Sequence, residues 1–379
     1  RRHNDIHEYD PDTQSKGRLN SRWEETMTKA SFKTAMAGLI TGALMVTAPS
    51  ASAELDKVQL KAIGTWSNLM PYIDGEKPFY NNDLKEASGG RVTAKLNSIV
   101  ELGLKGWEVM RLVKLGLFDV AHGVYGYVSS EDAALEGVDL SAAAADVAQG
   151  REIVKAYEPI IRKRFAETFG AHYLMTFRWG NQFVFCNKPI TSLKDLGGKK
   201  IRVYSTTLGD LVEGLGGTSV TIAFAEVVPA LQKGVADCGI TGSMPAYQAK
   251  WHEVITHTMT LPVGMGFGFA AMSNKTWNKL NDETKAFLTA QYDKLSEKIW
   301  AQAAEDDINS LKCLSGNGEC PLGAPGKVTL VEPSAADIKF RESVLETHVL
   351  KKYAQRCSKS CIDDWNGSVA KVVGVTATK

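Results

Sequence analysis

Arg202 lies in a short strand-like run, Lys200 to Tyr204 (KIRVY), between the apolar residues Ile201 and Val203. A guanidinium set among such neighbours is poorly solvated and needs an anion, and its planar fork matches a carboxylate through two parallel hydrogen bonds. Strand ends in open α/β sheets are where ligands bind. Arg202 is therefore a candidate carboxylate clamp, with a structural ion pair or an exposed edge as the alternatives.

Other chemical patterns are weaker. His252-Glu253-Val254-Ile255-Thr256-His257 has two histidines, but the second comes one residue too late to share a zinc-binding helix face. Gly264-Met265-Gly266-Phe267-Gly268 lacks the strand-turn-helix setting of a dinucleotide fold and reads as a glycine-rich strand beside which another backbone passes. Neither G-x-S-x-G nor G-K-[ST] occurs. The expectation is a protein with no catalytic residues, no metal and no cofactor.

The six cysteines are Cys186, Cys238, Cys313, Cys320, Cys357 and Cys361. Their even number favours disulfides in an oxidising compartment. Spacing favours Cys313 with Cys320 and Cys357 with Cys361, which leaves Cys186 with Cys238. Crossing of the two short pairs stays open, because a four-residue separation inside a regular helix is awkward disulfide geometry.

The compartment is indicated near the start. Met27 to Ala53 has two lysines, an apolar run of about 14 residues and a small-residue A-x-A end, the pattern of a cleaved export signal too short to span a bilayer. Cleavage is expected after Ala53, with residues 1–26 as upstream sequence and residues 54–379 as the exported, periplasmic chain. With 44 basic and 43 acidic residues, the net charge is +1, so no whole-protein field gathers nucleic acid or coats an anionic membrane. The 44% hydrophobic and 23% charged fractions are those of a globular protein, and no 33- to 47-residue repeat is visible.

Elements able to hold Arg202 alternate along the chain. Strands are expected at Val58–Gly64, Arg91–Leu96 and Leu117–Ala121, with helices at Tyr72–Glu86 and Lys105–Leu115 between them. Val147–Phe169 reads as a helix. The pattern then restarts with strands at Tyr173–Phe177, Gln182–Cys186, Lys200–Tyr204, Thr218–Ile222 and Ala236–Ile240. Such alternation is that of parallel sheets with crossover helices. Gly264–Met272 reads as a strand returning toward the first unit. From Asn281, a helical pattern of roughly 45 Å runs to about Leu311, long enough to bridge two domains. Ser334 caps a helix over Ala335–Tyr353, and Trp365–Val373 makes a last short one.

One block carries more than periodicity. G-x-K-I-R-V, followed by L-G-G-x-x-V-x-I-x-F-x-E-V-x-x-A-L-Q-x-G-V-x-D, sits within Asp195–Trp251. Together with SGGRVTAKL, the E-L-G turn at Glu101, LGLFDVAHG and NKPITSLKDLGGKKIRV, it resembles the extracytoplasmic solute receptors of tripartite ATP-independent periplasmic (TRAP) transporters, the family of the C4-dicarboxylate-binding subunit. The resemblance implies a two-lobed α/β periplasmic binding protein fold of type II-like form, with hinge strands and a long helix spanning both lobes. The expected lobes are discontinuous: residues 54–178 with about 265–290, and 179–264 with parts of 291–379. It also implies a cleft that closes on a small organic acid, and delivery of that acid to the small and large permease subunits of the membrane.

Site residues follow from the same resemblance. Arg202 matches the carboxylate-clamping arginine, with Ser205 near the same ligand, and Phe224 matches the aromatic that packs on it. Thr241 stands where many members have Asn. Gln182 falls where several receptors carry a second Arg, so a second fixed positive charge is missing there. Lys105 is a further candidate cation, with a solvated lysine at a helix start as its plainer reading. Trp66, Tyr125, Trp179 and Phe224 fall at strand ends toward the expected cleft. One buried arginine neutralises one carboxylate, so a monocarboxylate is expected, an aromatic, cyclic or branched oxo- or hydroxy-acid more than succinate. The competing readings are an exported α/β enzyme acting on organic acids and a receptor for an ATP-driven importer.

Overall fold

The computed structural model describes residues 54–379. The export signal, its cleavage after Ala53 and the upstream residues lie outside the described residues. Nine strands form one sheet: β1 (Val58–Gly64), β2 (Val92–Ser98), β3 (Val120–Val124), β4 (Ala171–Cys186), β5 (Lys200–Val203), β6 (Thr218–Thr221), β7 (Cys238–Gly242), β8 (His257–Ser273) and β9 (Thr329–Val331). Their order is β2-β1-β3-β8-β4-β7-β5-β6, with β9 on β8.

This order contains two parallel half-sheets, β2-β1-β3 and β7-β5-β6, each built from strand-helix-strand units. The antiparallel pair β4 and β8 joins them. The C-terminal part of β8 pairs with β3 from Gly268 to Met272, and the C-terminal part of β4 pairs with β7 from Gln182 to Cys186. Each long strand therefore belongs to the first half-sheet at one end and to the second at the other, which is the two-lobed α/β arrangement.

Both long strands differ from the sequence expectation. Tyr173–Phe177 and Gln182–Cys186 are parts of one 16-residue strand, because Gly180 at φ +98° carries the chain through a bulge. The β8 strand begins at His257, seven residues before the expected Gly264. Pro262 concealed this start, since proline lacks the N–H that a ladder requires. Its surroundings are irregular: register passes from Gln182↔Gly264 to Val184↔Met259. The carbonyls left out of the ladder are used elsewhere, by Ala142 N–H at 2.9 Å to Val263 O and by Arg341 Nη1 at 3.0 Å to Pro262 O.

The long helix spans Asp282–Ser315, 34 residues or about 50 Å. Asn281 caps it by accepting from Thr284 N–H at 2.8 Å, and Gly316 ends it at φ +72°. Near its start Tyr292 bonds Tyr80 of the first lobe at 2.8 Å. Near its end Ser310 donates to Ser243, just after β7, at 2.9 Å. Between them Ser296 and Trp300 donate to Thr176 O of β4, and Asp307 pairs with Arg178. The helix thus splints both halves along the strand that crosses between them.

After β9 the chain forms helical turns over Ala335–Val344, Leu345–Val349 and Leu350–Arg356, then Lys359–Gly367 and Val369–Val373. The last expected helix thus divides at Ser368. Arg356 bridges two nearly buried carboxylates, bonding both oxygens of Glu136 and both of Asp210. The structure pairs Cys186 with Cys238, Cys313 with Cys320 and Cys357 with Cys361.

Buried polar groups also organise the first lobe. Glu76 accepts from Thr65 N–H and Thr65 Oγ1, each at 2.7 Å, and lies 3.5 Å from His122 Nδ1. Burial pushes the Glu76 carboxyl up to about 7 and the His122 imidazole down to about 3, so the histidine is neutral. The folded chain holds a proton on Glu76 at pH values where the unfolded chain, near 4.5, has lost it. This contribution to stability is full below about pH 4.5 and is lost as the pH rises through about 7. Glu76→Gln should therefore lose less unfolding free energy than the wild type between pH 4.5 and 8 in urea titrations. Parallel curves would show that Glu76 does not titrate in that interval.

Candidate functional site

The C-terminal ends of β1, β3, β5 and β7 converge on a cavity beside the middle of β4. Strand ends at the meeting of two half-sheets are where open α/β folds place a ligand. Trp66 enters from the turn after β1, and Tyr127 from the helical turn after β3. Trp179 and Gln182 come from β4, Arg202 and Tyr204 from β5, Phe224 from the turn after β6, and Thr241 from β7.

Arg202 is the electrostatic centre. Its side chain is buried, and Nε and Nη1 donate to Ile222 O and Ile240 O, each at 2.9 Å. Nη2 is buried and makes no well-formed hydrogen bond, with the Tyr127 hydroxyl beside the guanidinium as a neighbouring polar group. Among the described residues no carboxylate pairs with it; instead its guanidinium lies 5.5 Å from the Tyr204 ring and 6.0 Å from those of Phe224 and Trp251. Two backbone carbonyls fix the fork, while aromatic faces partly compensate its charge. Burial lowers the Arg202 pKa, opposed by the hydroxyls of Tyr127 and Tyr204. Burial in turn raises both tyrosine hydroxyls, which stay protonated donors at neutral pH.

The walls are aromatic. Trp66 meets Tyr127, Trp179 and Phe224 edge-on, with centroids 5.5 to 5.7 Å apart. Gln182 Nε2 donates to Gly180 O at 3.2 Å, which leaves Oε1 unpartnered, and Trp179 Nε1 is likewise unpartnered. Gly266 and Gly268 make room for these side chains. A Cβ at Gly266 would lie 2.7 Å from Gln182 Nε2, and one at Gly268 would lie 2.3 Å from the Phe177 ring and 2.7 Å from Trp179 Nε1. Gly266 and Gly268 thus admit side chains of β4, while at Gly264 the backbone of Ser141 and Ala142 passes close, 3.6 and 3.7 Å from where a Cβ would lie, as expected from sequence.

Six sequence candidates therefore come together: Trp66, Trp179, Gln182, Arg202, Phe224 and Thr241. Three others stand apart. Tyr125 is fully buried in the first lobe, its hydroxyl 2.6 Å from Thr176 Oγ1 and its ring against Phe165 and Phe269. It points into the core because the chain turns helical at Tyr125, which directs Tyr127 to the cavity instead. Ser205 caps the helix Thr206–Gly214 by accepting from Leu208 N–H at 3.3 Å. Lys105 forms an exposed ion pair with Glu226 at 2.8 Å, which raises its pKa. Strand alternation contains a signal for Tyr204, two residues past Arg202 and so on the same face. His252 stacks on Tyr247, and His257 opens β8, so the two do not share a helix.

A second space lies beside Trp179 and Arg178. Its arginine is already paired with Asp307, whereas Arg202 has no anion. Charge therefore singles out the cavity at Arg202 as the anion-binding candidate.

Residues 63–322 match the model of the bacterial extracellular solute-binding protein family 7. The chain is 25% identical over 217 residues to the sialic acid-binding periplasmic protein of Vibrio cholerae, covering 56% of this chain and 67% of that protein. A Bordetella pertussis extracytoplasmic solute receptor binding pyroglutamic acid is similar in structure with a TM-score of 0.72 and 18% identity, over 82% of this chain and 99% of that one. A TRAP periplasmic solute binding protein from Sulfurospirillum deleyianum with bound succinate gives a TM-score of 0.71 and 20% identity, over 84% and 99%. The structural likenesses establish a shared fold.

The placement of Tyr125 has a measurable consequence. Tyr125→Phe removes a buried hydrogen bond without touching the cavity, so it should cost about 1 kcal/mol in urea unfolding and leave ligand affinity unchanged. A weakened affinity at unchanged stability would return Tyr125 to the site.

Proposed function

Because the chain belongs to the bacterial extracellular solute-binding protein family 7, we propose that it is a periplasmic TRAP receptor that captures a small organic acid by closure of its two lobes. The observation that carries this reading is the buried, anion-free Nη2 of Arg202 in an aromatic cavity at the strand ends. A carboxylate placed there would complete the guanidinium and remove the cost of an unpaired buried charge.

Cavity walls from both halves of the sheet explain why binding drives closure. Trp66 and Tyr127 belong to the first lobe, taken as residues 54–178 with about 265–290, and Arg202, Phe224 and Thr241 to the second. A ligand touching both sets favours the closed form by its extra contacts there. Gln182, neutral where a second arginine would stand, leaves one free cation in the cavity, so a monocarboxylate is favoured over a dicarboxylate. Release to the small and large TRAP permease subunits, rather than chemical conversion, completes the cycle. Signal cleavage after Ala53 would deliver the receptor to the periplasm.

The test is a thermal-melting screen of the protein against a broad carboxylate library, followed by calorimetry. A cognate acid should raise the melting temperature by mass action on the folded state and should be recovered chemically unchanged. Arg202→Ala should weaken that acid by about 100-fold or more, since truncation leaves its carboxylate buried without a partner. Retained affinity in Arg202→Ala, or turnover of the bound acid, would sink the proposal.

A further inference from the structure

Among the described residues, the two half-sheets join in one ladder through the pairing of β4 with β8. The turns at their strand ends are free to part unless side chains tie them across the cavity. Two contacts do so. Lys105, between β2 and β3, bonds Glu226, after β6, at 2.8 Å. The N–H of Met70, after β1, donates to Gln248 Oε1, after β7, at 3.0 Å.

Each tie fastens a different part of the cavity wall. Glu226 follows Phe224 by two residues, while Lys105 precedes Trp107 by two, and the Trp107 ring stacks on Tyr127 with centroids 4.5 Å apart. Gly106 shapes that turn: its φ is +107°, its N–H donates to Glu108 at 2.9 Å, and a Cβ there would lie 3.0 Å from the Tyr127 ring. Met70 follows the lining residue Leu69, and Gln248 ends the helix Ser243–Gln248 that brings in Pro245. Between lobes, Trp66 also packs edge-on against Phe224. The ties differ in chemistry. Lys105 and Glu226 are both about half exposed, so salt screens their attraction, whereas the Met70 bond is half-buried and joins two neutral groups. Parting of the lobes breaks both, so weakening one raises the population in which the other is open.

Resting on the receptor reading above, we propose that Lys105–Glu226 and Met70–Gln248 form a two-point latch that holds the lobes together over the cavity and slows departure of the bound acid. Lys105, a candidate cation for the ligand by sequence, instead serves the opposite lobe. Weak ties suit a receptor that must reopen, because an exposed ion pair shifts the closed population only a few-fold.

Hydrogen exchange of the Met70 amide in the whole protein tests this, since that amide exchanges when Gln248 releases it. Lys105→Glu and Glu226→Lys should each speed its exchange by about two- to fivefold at low salt, although neither touches Met70, and the double charge swap should restore the wild-type rate. Sodium chloride at about 0.5 M should speed exchange in the wild type in the same way. Urea midpoints should stay close to that of the wild type throughout. Exchange unchanged in both single variants, a swap no slower than the singles, or faster exchange matched by an equal loss of urea stability would each overturn the latch. No ligand enters these measurements, so failure of the carboxylate screen would remove the receptor reading, while the latch stands or falls on the exchange rates.

Discussion

A positive charge held out of water with no counter-ion sets the terms for the rest of this structure. Arg202 donates to two backbone carbonyls and retains one nitrogen without a well-formed hydrogen bond, so the protein bears the desolvation of a guanidinium without the return that a carboxylate partner would give. Arg178, equally buried, shows the alternative, since Asp307 neutralises it. The two arginines differ in what the long helix brings to them. It places an acid beside β4 and none beside β5.

That unsatisfied charge is tolerable because its surroundings are rigid. Ile222 O and Ile240 O belong to the strand ends on either side of β5, so the same parallel pairing that builds the second half-sheet also aims the fork. Opposite it, the crossing of β4 and β8 supplies Trp179 and Gln182, and the glycines at 266 and 268 let them lie close against the sheet. The bulges at Gly180 and around Pro262 relieve the ladder where the two half-sheets exchange strands. Groups that line the cavity and the crossing between the half-sheets therefore occupy the same few residues, which ties the shape of the cavity to the relative position of its walls.

Much of this was legible in the sequence, and the misses have physical causes. An arginine between two apolar residues announced the charge, and alternating strands and helices announced two half-sheets. Asn281 and Ser334 marked their helices because capping is local chemistry. The resemblance, rather than periodicity, singled out Gln182, Phe224 and Thr241. Tyr125 and Tyr127 could not be told apart by proximity to a strand end, since a helical turn there decides which one faces inward. Tyr204 went unselected although it shares the face of Arg202. Pro262 and Gly180, both unfavourable to regular strands, hid the continuity of β8 and β4, which only tertiary pairing restores.

The disulfide between Cys186 and Cys238 joins the last residue of β4 to the first of β7 across a loop of 52 residues that contains β5, β6 and Arg202 itself. Closing a loop of that length is worth about 4 kcal/mol on a chain-entropy basis, a sizeable share of a domain's whole stability. Thiol-reducing conditions would withdraw that constraint from the lobe that carries the guanidinium. Laboratory production of the protein therefore calls for secretion or an oxidising host, and assays run with added dithiothreitol would examine a looser molecule than the one in its native compartment.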